Sequence, residues 1–378
     1  MGMLQFDAPM GQSSYIKVIG VGGGGGNAVN NMFRKGIKGV DFYVCNTDSK
    51  ALNASPIVNK IKLGELGAGN DPAVARQAAL DHEKEIREAL EHNTQMLFIT
   101  AGMGGGTGTG AAPVIARIAK DIELDDKVVN KILVVAVVTM PFKYEGNNRM
   151  RQALDGVAEL RKYVDSILVI NNDKIRQLGN LKLTEGFGKA DDVLLDGVKG
   201  IAEIITCSSY VSVDFRDVNT VMKNSGTALM GTGIGEGENR ARLAIEAAST
   251  SVLLNDNDIR GAQNVLLYYS YHPDYEITYD EMDEVTTFIT DKIGSYDANI
   301  IWGTGTDESL GESLKITLIA TGYVSNENTK PGKKVDELPQ EPKGVNPPLP
   351  PVKEPEDKDG FRVISKNEEQ PTDQPDQE

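Results

Sequence analysis

The sequence predicts an α/β protein: a parallel-sheet unit, then a long helix, then a second and smaller α/β unit. Three observations carry this expectation. Strand-like and helix-like stretches alternate through the first half of the chain, the strands are almost continuously apolar, and the pattern changes after about residue 209. Runs such as Ile132-Leu133-Val134-Val135-Ala136-Val137-Val138 suit strands buried on both faces, and in a βαβα order such strands form a parallel sheet covered by helices.

Taken in order, strands are expected at 15–21, 40–45, 95–101, 132–140 and 164–170, with helices that include 71–90 and 110–119. The long helix spans about 185–205, where Leu194, Val198, Ile201 and Ile205 recur at spacings of four, three and four and make one apolar stripe. Beyond it, helices at 237–249 and 279–292 separate strands at 226–231, 264–271, 298–304 and 313–320. The last two strands alternate and share a short connection, so they are expected to pair antiparallel. From Asn326 to Glu378 the chain holds 10 of its 16 prolines with 13 acidic and 8 basic residues, a composition that cannot offset its ordering entropy and predicts disorder. The run Pro347-Pro348-Leu349-Pro350-Pro351 favours polyproline II, and Phe361-Arg362-Val363-Ile364 is the one apolar island there. Residues 1–13 read as a second loose end.

A length of 378 residues favours two domains. With 39 basic against 55 acidic residues the net charge is −16, which excludes a whole-surface basic footprint for nucleic acid or membrane. Two cysteines, Cys45 and Cys207, make no disulfide framework, and His82, His92 and His272 lie far apart, so a histidine metal site is not expected. No stretch of 18 apolar residues exists, and the first 12 residues lack the basic-then-apolar pattern of a secretion signal. A reduced, cytoplasmic protein is the expectation.

Two glycine-rich runs dominate, 20–27 and 102–110, each after an apolar strand and before a helix. That context puts unpaired backbone N–H groups and a helix dipole beside a sheet edge, where an anion is favoured. Thr107 and Thr109 add hydroxyl donors. The P-loop pattern GxxxxGK[ST] is absent. Gly20, Gly22 and Gly25 satisfy GxGxxG, and Asp48 follows Gly25 by 23 residues, so a nicotinamide or flavin enzyme is a rival, although it leaves the second run unexplained.

The segment Gly104-Gly105-Gly106-Thr107-Gly108-Thr109-Gly110 resembles the signature loop of the tubulin and FtsZ superfamily. Gly22–Asn27, Asn46-Thr47-Asp48, Gly67-Ala68-Gly69, Pro141-Phe142 with Glu145 and Arg149, Asn172-Asp173, and Asp214 with Asp217 follow in the family's order. The resemblance runs from about Tyr15 to Gly322 and favours the bacterial FtsZ branch over eukaryotic tubulin. It implies a disordered N-terminus (1–13), a Rossmann-like GTPase domain (14–185), a central helix (186–208), a C-terminal activation domain (209–324) and a disordered linker and tail (325–378).

Residue by residue, the resemblance places Gly23, Gly24, Gly25, Gly26 and Asn27 on the α- and β-phosphates, with Gly22 among the nucleotide-binding residues, and Gly106, Thr107 and Gly108 on the phosphates. Asp48 falls within a motif of the nucleotide site. Ala68, Gly69 and Asn70 would sense the γ-phosphate, Glu145 and Arg149 would meet ribose and phosphate, and Asn172, Phe187 and Asp191 would form the guanine pocket. Chemistry fits the last group. Guanine offers N1–H and N2–H donors to an acceptor-only carboxylate, and a phenyl ring can cover the base. Standing alone, Phe187 reads as core, Asp191 as a first-turn acid and Arg149 as a surface ion-pair residue.

Asp214 and Asp217 are three apart, a spacing that puts two carboxylates on one helical face, where they can polarise a water. The bland alternative makes Asp214 a helix cap and leaves Asp217 solvated. By resemblance the pair meets the nucleotide of the next subunit in a head-to-tail filament. The implied function is a GTPase that hydrolyses GTP to GDP and phosphate on assembly and forms the bacterial division ring at mid-cell. Mg²⁺, and K⁺ as an alternative near the acids, would serve as cations. The partners would be further copies of the chain and, through the tail, membrane-tethering and division-regulating proteins, with no nucleic acid. Ser212 stands where the family usually has Asn, which keeps open a scaffold that binds GTP and hydrolyses it slowly.

Overall fold

The computed structural model describes residues 14–124, 130–175, 182–206, 210–250, 258–295 and 297–323. The expected loose ends at 1–13 and 325–378, with the proline run and the Phe361 island, lie outside the described residues, as does Cys207.

The first half runs β1 (Ile16–Val21), α1 (Gly22–Arg34), β2 (Asp41–Asn46), α2 (Ser49–Ala54), β3 (Asn59–Lys62), α3 (Pro72–Asp81), α4 (Glu83–Glu91), β4 (Met96–Gly102), α5 (Gly106–Asp121), β5 (Leu133–Met140), α6 (Asn147–Leu160), β6 (Ser166–Asn171) and a short α7 (Asn172–Ile175). There follow α8 (Leu183–Thr206), α9 (Phe215–Met222), β7 (Gly226–Gly235), α10 (Arg240–Ser249), β8 (Asn264–Tyr271), α11 (Tyr279–Ile293), β9 (Asn299–Thr306) and β10 (Leu314–Thr321). The sheet order is β3-β2-β1-β4-β5-β6-β7-β10-β8-β9. Strands β1 to β6 are all parallel. Their carboxyl ends therefore share one edge, as expected for ligand-binding α/β sheets.

The expected helix at 71–90 is two helices broken at His82, whose backbone is non-helical and whose ring Nδ1 lies 2.8 Å from the Ala78 carbonyl. The expected antiparallel pairing of the last two strands is wrong. β9 pairs parallel with β8, and β10 lies between β7 and β8, antiparallel to both. Burial explains the order. β10 is buried at seven of its eight positions and needs a neighbour on each side, whereas β9 is half-exposed along its first four residues and suits an edge.

Three apolar clusters follow. One fills the face under α8, where Leu194, Leu195, Val198 and Ile201 pack with Val135, Val137, Leu168 and Met230. A second lies between the first sheet half and α3 to α6. A third sits between β7, β8 and β10 and the helices α10 and α11.

β6 and β7 pair only through Ser166 with Gly226 and Ile167 with Thr227, the first residues of both strands. This register puts α9, just upstream of β7, at the amino edge of the sheet. The buried Asp165 carboxylate holds that junction. Both of its oxygens accept from Lys120 Nζ at 2.9 Å, one accepts from the Val134 N–H at 2.9 Å, and the other from the Asn224 N–H at 3.3 Å. Asp165→Ala is expected to cost about 3 kcal/mol, because it strands a cation and a buried N–H; a lower urea midpoint would show it, and an unchanged midpoint would mean the network is idle.

Candidate active site

Both glycine runs end inside helices rather than before them. α1 begins at Gly22 and α5 at Gly106; neither amino terminus has a side-chain cap, and neither first turn holds an acid. Elsewhere Asp48, Asp71, Asp214 and Thr278 cap α2, α3, α9 and α11 with side-chain oxygens. The first N–H groups of α1 and α5 thus lack the partner that an N-cap supplies.

The two helix starts abut. Gly22 has φ +74°, and a Cβ there would come within 2.9 Å of the Gly108 nitrogen. At Gly25 a Cβ would meet the Thr100 carbonyl oxygen at 2.2 Å, so this glycine is required for α1 to lie on β4. Part of the glycine content is therefore a packing requirement, not a ligand requirement. Gly23 and Gly26 differ: nothing lies within 4 Å of a Cβ built at either, and Gly23, Gly24 and Asn27 are exposed. Space is open where an anion would meet the α1 N–H groups.

The other residues expected at the phosphates gather at the same edge. Thr47 Oγ1 lies 2.7 Å from Thr107 Oγ1. Thr109 Oγ1 accepts from the Gly104 N–H at 2.8 Å, so its oxygen closes the second glycine loop from within. The Thr47 carbonyl accepts from the Gly67 N–H at 3.0 Å, which brings 67–70 alongside. Asn70 has φ 63°, and a Cβ on Gly106 would stand 2.9 Å from that of Ala68. Gly69 is exposed at the tip of this loop. Asp48 Oδ1 is taken up by the Lys50 and Ala51 N–H groups, so its carboxylate serves first as a cap.

On the base side, Glu145 accepts from the Phe142 N–H at 2.9 Å and pairs with Arg149 at 2.5 Å. Phe142 stacks on Tyr144 with ring centroids 5.0 Å apart and meets Phe187 edge to face at 5.3 Å. This contact, which sequence reasoning did not find, joins the sheet edge to the start of α8. Phe187 is 43% exposed, so it keeps a ring face free. Asn172 is buried, and its Oδ1 has no hydrogen-bond partner among the described residues. A buried acceptor without a donor is costly, so a donor-bearing ligand fits there. Asp191, one turn beyond Phe187, is pushed up to about 6 by burial and by the neighbouring Asp192 charge. Asp192 is turned away, accepting from Asn31 of α1 and from Lys35, which caps its end, at 3.2 and 2.7 Å.

Asp214 and Asp217 are not brought to this edge. They form a capping box: Asp214 Oδ1 accepts from the Arg216 and Asp217 N–H groups, and Asp217 Oδ2 accepts from the Asp214 N–H. Asp214 has extended backbone, so the two do not share a helical face; the reciprocal cap is what joins them. Asp214 is exposed and Asp217 half-buried, and one oxygen of each stays free of hydrogen bonds among the described residues.

Uncapped helix starts at the carboxyl edge, an orphaned acceptor and a half-buried carboxylate gather on a fold of the tubulin type, that of a GTPase. Residues 15–180 match the Tubulin/FtsZ family GTPase domain, and residues 226–324 match the FtsZ family C-terminal domain. A cell division protein FtsZ of Porphyromonas gingivalis is 45% identical over 315 residues, covering 82% of this chain and 67% of the relative. That of Coxiella burnetii is 46% identical, covering 83% and 80%. An FtsZ dimer from M. jannaschii superposes with a TM-score of 0.72 at 37% identity, over 82% of this chain and 89% of that one. CetZ1 of Haloferax volcanii, 19% identical with a TM-score of 0.70, shares the fold. The chain belongs to the FtsZ family and is a GTPase; the dinucleotide reading of GxGxxG is set aside.

The raised Asp191 carboxyl gives a pH signature. The resemblance sets Asp191 against guanine, which needs the ionised form, so affinity is expected to be full only well above about 6 and to fall as protonation removes an acceptor. Guanosine, which carries no titrating phosphate, is expected to bind up to about tenfold more weakly per pH unit below 6, and Asp191→Asn should flatten the profile. Isothermal titration at several pH values checks this; a flat wild-type profile would contradict it.

Proposed function

We propose that this GTPase stacks head to tail into filaments and that its active site is complete only at the junction of two copies. One observation carries the reading: the acid pair lies at the amino edge of the sheet, and the glycine-started helices lie at the carboxyl edge. The 24-residue α8, which starts at the guanine side and leads toward the acid pair, is itself about 36 Å long. No carboxylate side chain covers that span. A second copy placed with its amino edge over the first copy's carboxyl edge brings Asp214 and Asp217 to the phosphates. Such a contact uses different surfaces on the two partners, does not close, and repeats into a filament. The similarity to an FtsZ dimer supports self-association.

In this reading the α1 and α5 N–H groups, with Ala68, Gly69 and Asn70, hold the triphosphate, and Asn172, Phe187 and Asp191 hold guanine. Glu145 and Arg149 flank the ribose. The free oxygens of the neighbour's Asp214 and Asp217 orient a water for in-line attack on the γ-phosphorus. The bond to the β-phosphate oxygen breaks, leaving GDP and inorganic phosphate. Phosphoryl transfer depends mainly on positioning and charge stabilisation, which suits a site assembled from two surfaces. No group of three or more His, Cys, Asp or Glu among the described residues could hold a metal. Mg²⁺ would therefore enter with the phosphates, adding charge neutralisation, and K⁺ near the acid pair is the alternative cation.

The domain limits follow the same division: 14–185 for nucleotide, 186–208 for the central helix, 209–324 for the activating unit. The relatives are named cell division proteins, and the task proposed for the filament is the division ring at mid-cell in a bacterial cytoplasm. Among the described residues no helix is long and apolar enough to cross a membrane. Tethering and regulation are assigned to partner proteins bound by the tail at 325–378.

Asp214→Asn separates the two uses of this carboxylate. Asn caps a helix as well as Asp, so folding and GTP binding should persist, while turnover drops at least about a hundredfold. Phosphate release measured beside GTP affinity checks this; wild-type turnover in the variant would contradict the shared site.

A further inference from the structure

We propose that Thr47 is a positioning residue for phosphate binding: its hydroxyl donates to Thr107 and thereby leaves the Thr107 proton for the nucleotide's phosphate. The inference rests on the reading of α1 and α5 as the phosphate cradle. Thr47 stands in the Asn46-Thr47-Asp48 motif, and the resemblance as stated names no contact for its hydroxyl.

The two Oγ1 atoms lie 2.7 Å apart, and at that distance either oxygen can be the donor. Burial decides the direction. Thr47 is 3% exposed, and Thr107 supplies the one hydrogen bond of its hydroxyl among the described residues. If Thr107 donated, the Thr47 proton would be buried with no acceptor, a cost that a half-buried Thr107 avoids by facing outward. The favoured arrangement has Thr47 donating. Thr107 stands in the first turn of α5, where its released proton points with the free N–H groups at the same anion. A chain from Thr47 through Thr107 to a phosphate oxygen also polarises in one sense, each link strengthening the next.

Thr47 is itself held in place. Its carbonyl accepts from the Gly67 N–H at 3.0 Å, the Asn46 carbonyl accepts from the Leu63 N–H at 2.9 Å, and the Ser49 N–H donates to the Glu65 carbonyl at 3.2 Å. Thr107 is fixed from the other side, since a Cβ at Gly22 would stand 3.1 Å from its Cβ. Thr47 therefore links the 63–70 segment to the α5 start through one hydroxyl.

The test compares GDP and guanosine affinities by titration calorimetry for the full chain and for Thr47→Val, Thr47→Ser, Thr107→Val and the double variant Thr47→Val/Thr107→Val. GDP affinity should fall about tenfold in Thr47→Val, stay near wild type in Thr47→Ser, and fall no further when Thr47→Val is added to Thr107→Val. Guanosine affinity should be unchanged throughout. Thr107→Val weak with Thr47→Val normal overturns the relay alone. Thr107→Val at full GDP affinity overturns both the relay and the cradle assignment beneath it. Equal loss of guanosine and GDP in Thr47→Val, or a full additional loss in the double variant, overturns the positioning role in favour of a general packing defect.

Discussion

Two helices begin side by side with their first N–H groups uncapped, and the remainder of the site is arranged around that fact. A helix start carries partial positive charge and unsatisfied donors. Where the chain has no use for an anion it often supplies its own oxygen, as Asp48, Asp71, Asp214 and Thr278 do. At α1 and α5 it supplies glycine. The glycines serve two ends: some, such as Gly25, let helix and strand meet at backbone distance, and others, such as Gly23, leave the space above them clear. An anion can then be bound by a protein whose net charge is −16, because the attraction is local.

The sheet sets the second requirement. Six parallel strands bring the residues proposed to meet phosphate and base to one edge, while the two-residue contact of β6 with β7 returns the chain to the other. The buried Asp165, bonded to Lys120 and to the turn at Asn224, holds that return in place. The apolar face of α8 packs across the interior between them, so the guanine side and the acid pair are joined by a stiff element that also keeps them apart. In the proposed reading, separation of the glycine-started helices from the acid pair is a property of the fold, and a neighbouring copy would close the gap.

The parallel half was legible because its strands are apolar without interruption, a pattern suited to burial on both faces. The glycine runs were legible as strand-to-helix junctions, but not as helix starts. Glycine is a poor helix former, and only the close approach of α1 to β4 at Gly25 explains why helix wins there. The order of β8, β9 and β10 was not legible from a short connection; it follows from which strand can tolerate an exposed edge. The edge-to-face contact of Phe142 with Phe187 and the Thr47 to Thr107 pair join residues 45 and 60 apart in sequence, beyond any local periodicity. Asp214 illustrates a different limit: a cap and a catalytic acid use the same residue type, and in the proposed reading one carboxylate has an oxygen for each.

Complementation between two inactive variants addresses the split site most directly. Asp214→Asn keeps its nucleotide pocket and lacks the acid; a variant carrying Phe187→Ala and Asp191→Ala keeps the acid and lacks the pocket. Mixed in equal amounts, they should release phosphate from GTP well above the sum of the two alone, since one junction in the mixture pairs an intact pocket with an intact acid. A mixture no faster than that sum would contradict the account.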